Sequence, residues 1–136
     1  MTDSHDDTRR DRPLTQSDLD QFTGTDNWYR HWSGLLYTDG VKFLAEKAGA
    51  GAYWLIDLIA SYQPDPRVRG NKRLQEFQLW WLTCANSEGL VQLKEDSNNK
   101  VVLEQFIPFS DFPLASLKLY VEPGEQGPVL LLPSEH

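Results

Sequence analysis

The chain holds 136 residues, with 13 basic against 20 acidic side chains, one cysteine, five Trp, five Tyr and six Phe. That length suits one domain with a real core, and a lone cysteine excludes both an internal disulfide and a cysteine-based zinc site. The net charge of −7 argues against a general coater of nucleic acid, and the apolar runs are too short to span a bilayer, so a cytoplasmic, non-membrane protein is expected.

Residues 1–13, MTDSHDDTRRDRP, carry no large apolar side chain after Met1 and read as a disordered tail, leaving 14–136 as a single globular domain. Thr15 followed by Gln16-Ser17-Asp18 reads as an N-cap with acid in the first turn, which predicts a short helix over about 16–22. Trp28 to Trp32 is rich in β-formers. Leu35 to Thr38, Asp39-Gly40 and Val41 to Leu44 then read as a tight hairpin, because Asp-Gly suits a type I′ turn. The competing reading makes residues 41–48 a helix with Val41, Leu44, Ala45 and Ala48 as its stripe; the turn chemistry favours the hairpin.

After Gly49-Ala50-Gly51, the stripe Ala52, Leu55, Ile59 and Tyr62, widened by Ile56 and Leu58, predicts the main helix over about 50–62, with Asp57 on its outer side. Residues 64–73 read as a loop holding Arg67, Arg69, Lys72 and Arg73. The remainder alternates strands and turns: residues 77–84, 90–94, 101–107, 117–121 and 129–132. The fold class that follows is α+β: a curved, mainly antiparallel sheet of about seven or eight strands packed on one long helix.

The strings Tyr37-Thr38-Asp39-Gly40-Val41, Ala52-Tyr53-Trp54-Leu55, Phe77-Gln78-Leu79-Trp80, Ser110-Asp111-Phe112-Pro113-Leu114 and Leu132-Pro133-Ser134-Glu135 stand in one order and spacing. By them the chain resembles a family of small bacterial proteins known only as a domain of unknown function, from about Leu14 to the C-terminus. The resemblance implies a compact single-domain protein of accessory or mobile-element origin. It supplies no reaction and no site residues.

Catalytic constellations are scarce. His31 is the only histidine inside an expected element and lacks a ligand-spaced partner, so a surface or interface histidine is expected. Ser110-Asp111 has no nucleophile-elbow pattern, and Asp111 reads as a turn cap. Cys84 reads as a buried small hydrophobe. No catalytic residue, metal site or cofactor is assigned.

The aromatic surplus is the clearest anomaly. Adjacent rings on a strand point to opposite faces, so if Trp81 points inward, Trp80 points outward, and some rings look for cover. Trp28, Tyr29, Trp32, Tyr37 and Trp80 are therefore the candidate binding face, since Tyr and Trp anchor interfaces. A fold with both sheet faces covered by helices would absorb the same rings. Arg67, Arg69, Lys72 and Arg73 form a candidate basic finger, whose simpler reading is a solvated loop; nucleic acid is disfavoured as its partner by the overall charge. The expected function is a non-enzymatic protein-binding or regulatory module, with a protein partner or a second copy of itself. The alternatives are an acidic inhibitor from a mobile element that docks on a basic nucleic-acid-processing partner, or a small-molecule enzyme with His31, Asp111 and Tyr37 in a pocket of the sheet.

Overall fold

The computed structural model describes residues 13–98 and 100–136; the tail expected at 1–13 lies outside them apart from Pro13. Helix α1 (Gln16–Asp20) begins as its sequence implies. The Thr15 hydroxyl accepts the Asp18 N–H at 3.3 Å, and the Asp18 carboxylate accepts the Thr15 N–H at 2.9 Å. This reciprocal cap satisfies two donors that a helix start otherwise leaves unpaired.

Strands β1 (Trp28–Arg30) and β2 (Leu36–Thr38) pair antiparallel, with Trp28 opposite Thr38 and Arg30 opposite Leu36. The chain then departs from the expected hairpin. Residues Asp39–Lys47 form helix α2, with Thr38 as its N-cap accepting the Val41 N–H at 3.4 Å. The reason is tertiary: the Glu135 carboxylate accepts the Thr38 hydroxyl at 2.6 Å and the Gly40 N–H at 3.1 Å. It satisfies a second donor of the new helix from the other end of the chain. Gly40 leaves room for this contact: a Cβ would come within 2.6 Å of Leu132 Cδ1 and 2.7 Å of Glu135 Oε1, so those side chains would have to shift. The buried stripe is Val41, Leu44 and Ala45, as the competing helical reading required.

Helix α3 (Tyr53–Tyr62) follows the turn at Gly49, whose φ is +55°. It buries Leu55, Ile56, Leu58, Ile59 and Ala60, starts later than expected, and shares its layer with α2, so the sheet does not rest on one helix. The expected loop at 64–73 is also corrected. Asp65 caps α4 (Pro66–Arg69), Asn71 caps α5 (Lys72–Glu76), and Val68 and Leu74 point into the core. Pro66 at the first helical position loses no hydrogen bond there.

Strands β3 (Gln78–Ala85), β4 (Glu88–Lys94), β5 (Val101–Ile107), β6 (Ser116–Gly124) and β7 (Gly127–Leu131) complete the set. One seven-stranded sheet results, in the order β1-β2-β7-β6-β3-β4-β5. All neighbours are antiparallel except β2 and β7. The tight turn with positive φ twice occurs between β3 and β4, at Asn86 (53°) and Ser87 (63°).

Period-two alternation divides the sheet into two unlike faces. Trp80, Leu82, Val91, Leu93, Leu103, Leu117, Leu119, Val121 and Leu130 point to one side and form a single core with the buried residues of α1 to α5. On the other side Leu36, Leu79 and Leu131 are buried but stand outside that core. No described helix of eight or more residues packs over them; a 3-10 turn (Pro133–Glu135) and His136 reach the margin of this face.

Candidate functional site

The five aromatic residues singled out by sequence do not share one surface. Trp80 is the clearest correction: it is 2% exposed and faces the helices, whereas Trp81 takes the open side. Its indole N–H donates to Gln78 Oε1 at 2.8 Å, and Gln78 exchanges hydrogen bonds of 2.9 and 3.0 Å with Gln63. A buried amide with its donors and acceptors paired makes that inward position affordable.

Tyr29 and Tyr37 lie opposite each other in the β1–β2 pair and stack with centroids 5.6 Å apart, while Lys42 of α2 sits 5.1 Å from the Tyr29 ring. The Tyr29 hydroxyl donates to Asp39 at 2.9 Å, a bond that raises the phenol's pKa. Asp39 also accepts the N–H groups of Asp26 (3.0 Å) and Asn27 (3.3 Å). Partial desolvation works against the Asp39 carboxylate, but these hydrogen bonds win and hold its pKa below the usual aspartate value. This node ties the segment before β1 to the first turn of α2.

Trp28 stands on the helix-free face and is 58% exposed. The same face carries Trp81, with Lys118 Nζ at 4.7 Å and Lys94 Nζ at 5.6 Å from its ring, and Phe106 on β5 at 56% exposure. Among the described residues the Trp81 indole N–H is the buried side-chain donor without a hydrogen-bond partner. Tyr120 packs edge-on with Phe77 (4.8 Å) and His136 (5.4 Å), and His136 Nε2 is 3.1 Å from Glu122. Near Trp28 a groove of about 620 Å³ has Leu36, Val129 and Leu131 in its wall and Glu122 and Glu125 beside it. Alternation alone leaves open which of Trp80 and Trp81 is inside, and taking Trp80 as the outward ring misses Trp81; the Gln78 partner two residues from Trp80 is the signal that orients the pair.

Trp32 belongs to a separate place, the bend between β1 and β2, and is 91% exposed. His31 beside it is buried. Ser33 donates its N–H to His31 Nδ1 at 3.1 Å, so that nitrogen is an acceptor, and the Ser33 hydroxyl lies 2.8 Å from it. The proton is therefore on Nε2, which donates to Asp57 at 2.7 Å. The expected surface histidine is thus an internal link, and Asp57 on the outer side of α3 is its partner. Hydroxyl, imidazole and carboxylate in this order resemble an acyl-transfer relay. The N–H groups that could face a developing oxyanion are spoken for: Ser33 by His31 Nδ1, Gly34 by the His31 carbonyl and Leu35 by the Ser33 hydroxyl at 3.5 Å. What the chain of bonds does in this structure is fasten the bend to α3.

This bend forms one wall of a cleft of about 910 Å³ at the end of the sheet. Arg30, Trp32 and Ser33 line it from one side, Arg69 and Gln75 from the α4–α5 side, and Glu122 and Gln126 from the β6–β7 hairpin. Of the basic residues expected to form a finger, Arg67 is held by Asp65 (3.0 and 2.8 Å) and Arg73 reaches Glu95 at 3.3 Å. Arg69 enters the cleft and Lys72 stays on the surface. Asp111 does not join His31 or Tyr37: its carboxylate accepts the Ala50 N–H at 2.6 Å and fixes the turn between α2 and α3. Cys84 is a half-buried thiol, 3.8 Å from the Ser110 hydroxyl. Among the described residues no group of three or more His, Cys, Asp and Glu is gathered to hold a metal ion, and no helix is long and apolar enough to cross a membrane.

These features define a small α+β protein whose mainly antiparallel sheet has helices on one side and aromatic and charged side chains on the other. The chain belongs to a family of unknown function, DUF6876, whose model matches residues 13–136. No curated protein matches it. Its fold is similar to that of a protein of unknown function from Enterococcus faecalis known from a crystal structure, with a TM-score of 0.55 and 19% identity over 76% of this chain and 90% of that one. At that identity the likeness shows the fold alone.

Proposed function

We propose that this protein is a binding module that works through the helix-free face of its sheet, and that the occupant of that face is a second copy of the chain. The observation that carries this reading is the content of the face. Trp28, Trp81 and Phe106 are spread across it, two of them more than half exposed, where a one-sided sheet would otherwise present polar residues to water. Charge supports a self-complementary contact. Lys118 and Lys94 flank Trp81, while Glu122 lies four residues further along β6 with Glu125 beyond it. A two-fold axis through the face sets the basic end of one copy over the acidic end of the other.

Sedimentation across a wide concentration range tests it. A monomer–dimer equilibrium is expected, with association weakened about tenfold or more by Trp28→Ala, the loss typical of an aromatic anchor. Lys118→Glu should weaken it too, and Lys118→Glu with Glu122→Lys should restore part of the loss. A strict monomer at submillimolar concentration overturns the reading. The acidic rim at Glu122 and Glu125 around the Trp28 groove favours a second reading, docking of a basic protein segment. That reading predicts a monomer whose complex with a lysine-rich partner dissolves in high salt.

A further inference from the structure

We infer that the cleft at the end of the sheet is a binding site for a nucleoside monophosphate, with Arg30 and Arg69 holding the phosphate and Trp32 stacking on the base. The volume, about 910 Å³, falls in the range of small-molecule sites. Two guanidinium groups line it in a protein of net charge −7. Neither guanidinium is neutralised: that of Arg30 donates to the neutral Gln126 amide at 3.3 Å, and among the described residues no hydrogen bond or ion pair holds that of Arg69. Their near neighbour Arg67 shows the contrast, since Asp65 takes its guanidinium in two hydrogen bonds.

Guanidinium groups suit phosphate because their donors match its oxygens in a planar fork. Trp32 gives the cleft a second recognition element. One side of its ring tilts against His31 at 5.2 Å, and the residue is still 91% exposed, so a broad π-surface stands free at the rim. The His31–Asp57 and His31–Ser33 hydrogen bonds hold the bend that carries it, so stacking on Trp32 costs little ordering. A base stacked on an exposed indole gains binding energy whatever its identity.

Glu122 sets the size of the anion. It lies in the same wall, so the cleft balances two positive charges against one negative. That suits a single phosphate, and the surrounding acidity disfavours a triphosphate or a long polyanion. Ser33, Gln75 and Gln126 add neutral polar groups to the lining.

Isothermal titration calorimetry with AMP, adenosine, ribose 5-phosphate and a short single-stranded oligonucleotide tests the assignment. AMP should bind saturably, with adenosine and ribose 5-phosphate each at least about tenfold weaker, because each lacks one of the two contacts. Arg69→Gln, Arg30→Gln and Trp32→Ala, all exposed, should each weaken AMP by a similar factor, and Lys72→Gln, outside the cleft, should leave it unchanged. No saturable AMP binding overturns the proposal. So does binding that survives Arg69→Gln, ribose 5-phosphate binding as well as AMP, or an oligonucleotide binding more tightly than AMP. Glu122 and Gln126 border both this cleft and the Trp28 groove, so the titration is repeated in Trp28→Ala, where saturable AMP binding is expected to persist and its loss overturns the proposal.

Discussion

Asp65 and Arg67 show how one residue pair decides what a charged segment does. Asp65 accepts the Arg67 backbone N–H at 2.9 Å as the cap of α4 and grips the same residue's guanidinium with both oxygens. The Arg67 side chain, followed by its backbone N–H, lowers the Asp65 pKa to about 2. A depressed carboxylate pKa stabilises the fold above the ordinary value near 3.8, and the contribution is lost as pH falls through about 2. In a carbon-13 titration of the side-chain carboxyl, Asp65 should titrate near 2 and move up towards 3.8 in Arg67→Gln. A midpoint already near 3.8 with Arg67 present means that the grip does not persist in solution. One of four apparent cations is thus consumed locally, which leaves Arg69 as the one that faces the cleft.

At the level of elements, what could be read from the sequence tracks how local the deciding partner is. The Thr15–Asp18 cap spans three residues and was legible, as were the α3 stripe and the strands from β3 to β7. Asp39-Gly40 was misread because the group that turns it into a helix start, Glu135, lies 95 residues from Gly40. The α4–α5 segment carries helix-start signals in Asp65-Pro66 and Asn71, but Pro64, Pro66 and the density of basic residues between 64 and 73 suit an extended loop equally well, and only Val68 and Leu74 turned into the core decide for helix. Alternation showed that Trp80 and Trp81 oppose each other without saying which is inside. The His31–Asp57 link joins residues 26 apart on different elements, and no periodicity announces it. The α2 start gives a stability prediction. Thr38→Ala should cost about 1–2 kcal/mol, through a lost cap and an unpaired Glu135 contact, in urea denaturation, with Thr38→Ser close to wild type. The two substitutions Thr38→Ala and Glu135→Ala should be less than additive. Full additivity would show that the carboxylate does not act through the cap.

For the whole molecule, a self-associating face makes stability depend on concentration. The melting temperature should rise as protein is added and should flatten in Lys118→Glu, because only the folded state pairs. A melting point indifferent to concentration in the native chain points away from a second copy as the occupant. The sheet order has a further consequence. β1 and β2 attach to the rest of the sheet through the parallel pairing of β2 with β7, and the cap of α2 is completed by Glu135. In the order of synthesis residues 28–47 precede 127–135, so the β7 neighbour of β2 and the carboxylate that completes the α2 cap are made long after the segment they hold. This early segment is therefore locked in only together with the last strand of the sheet.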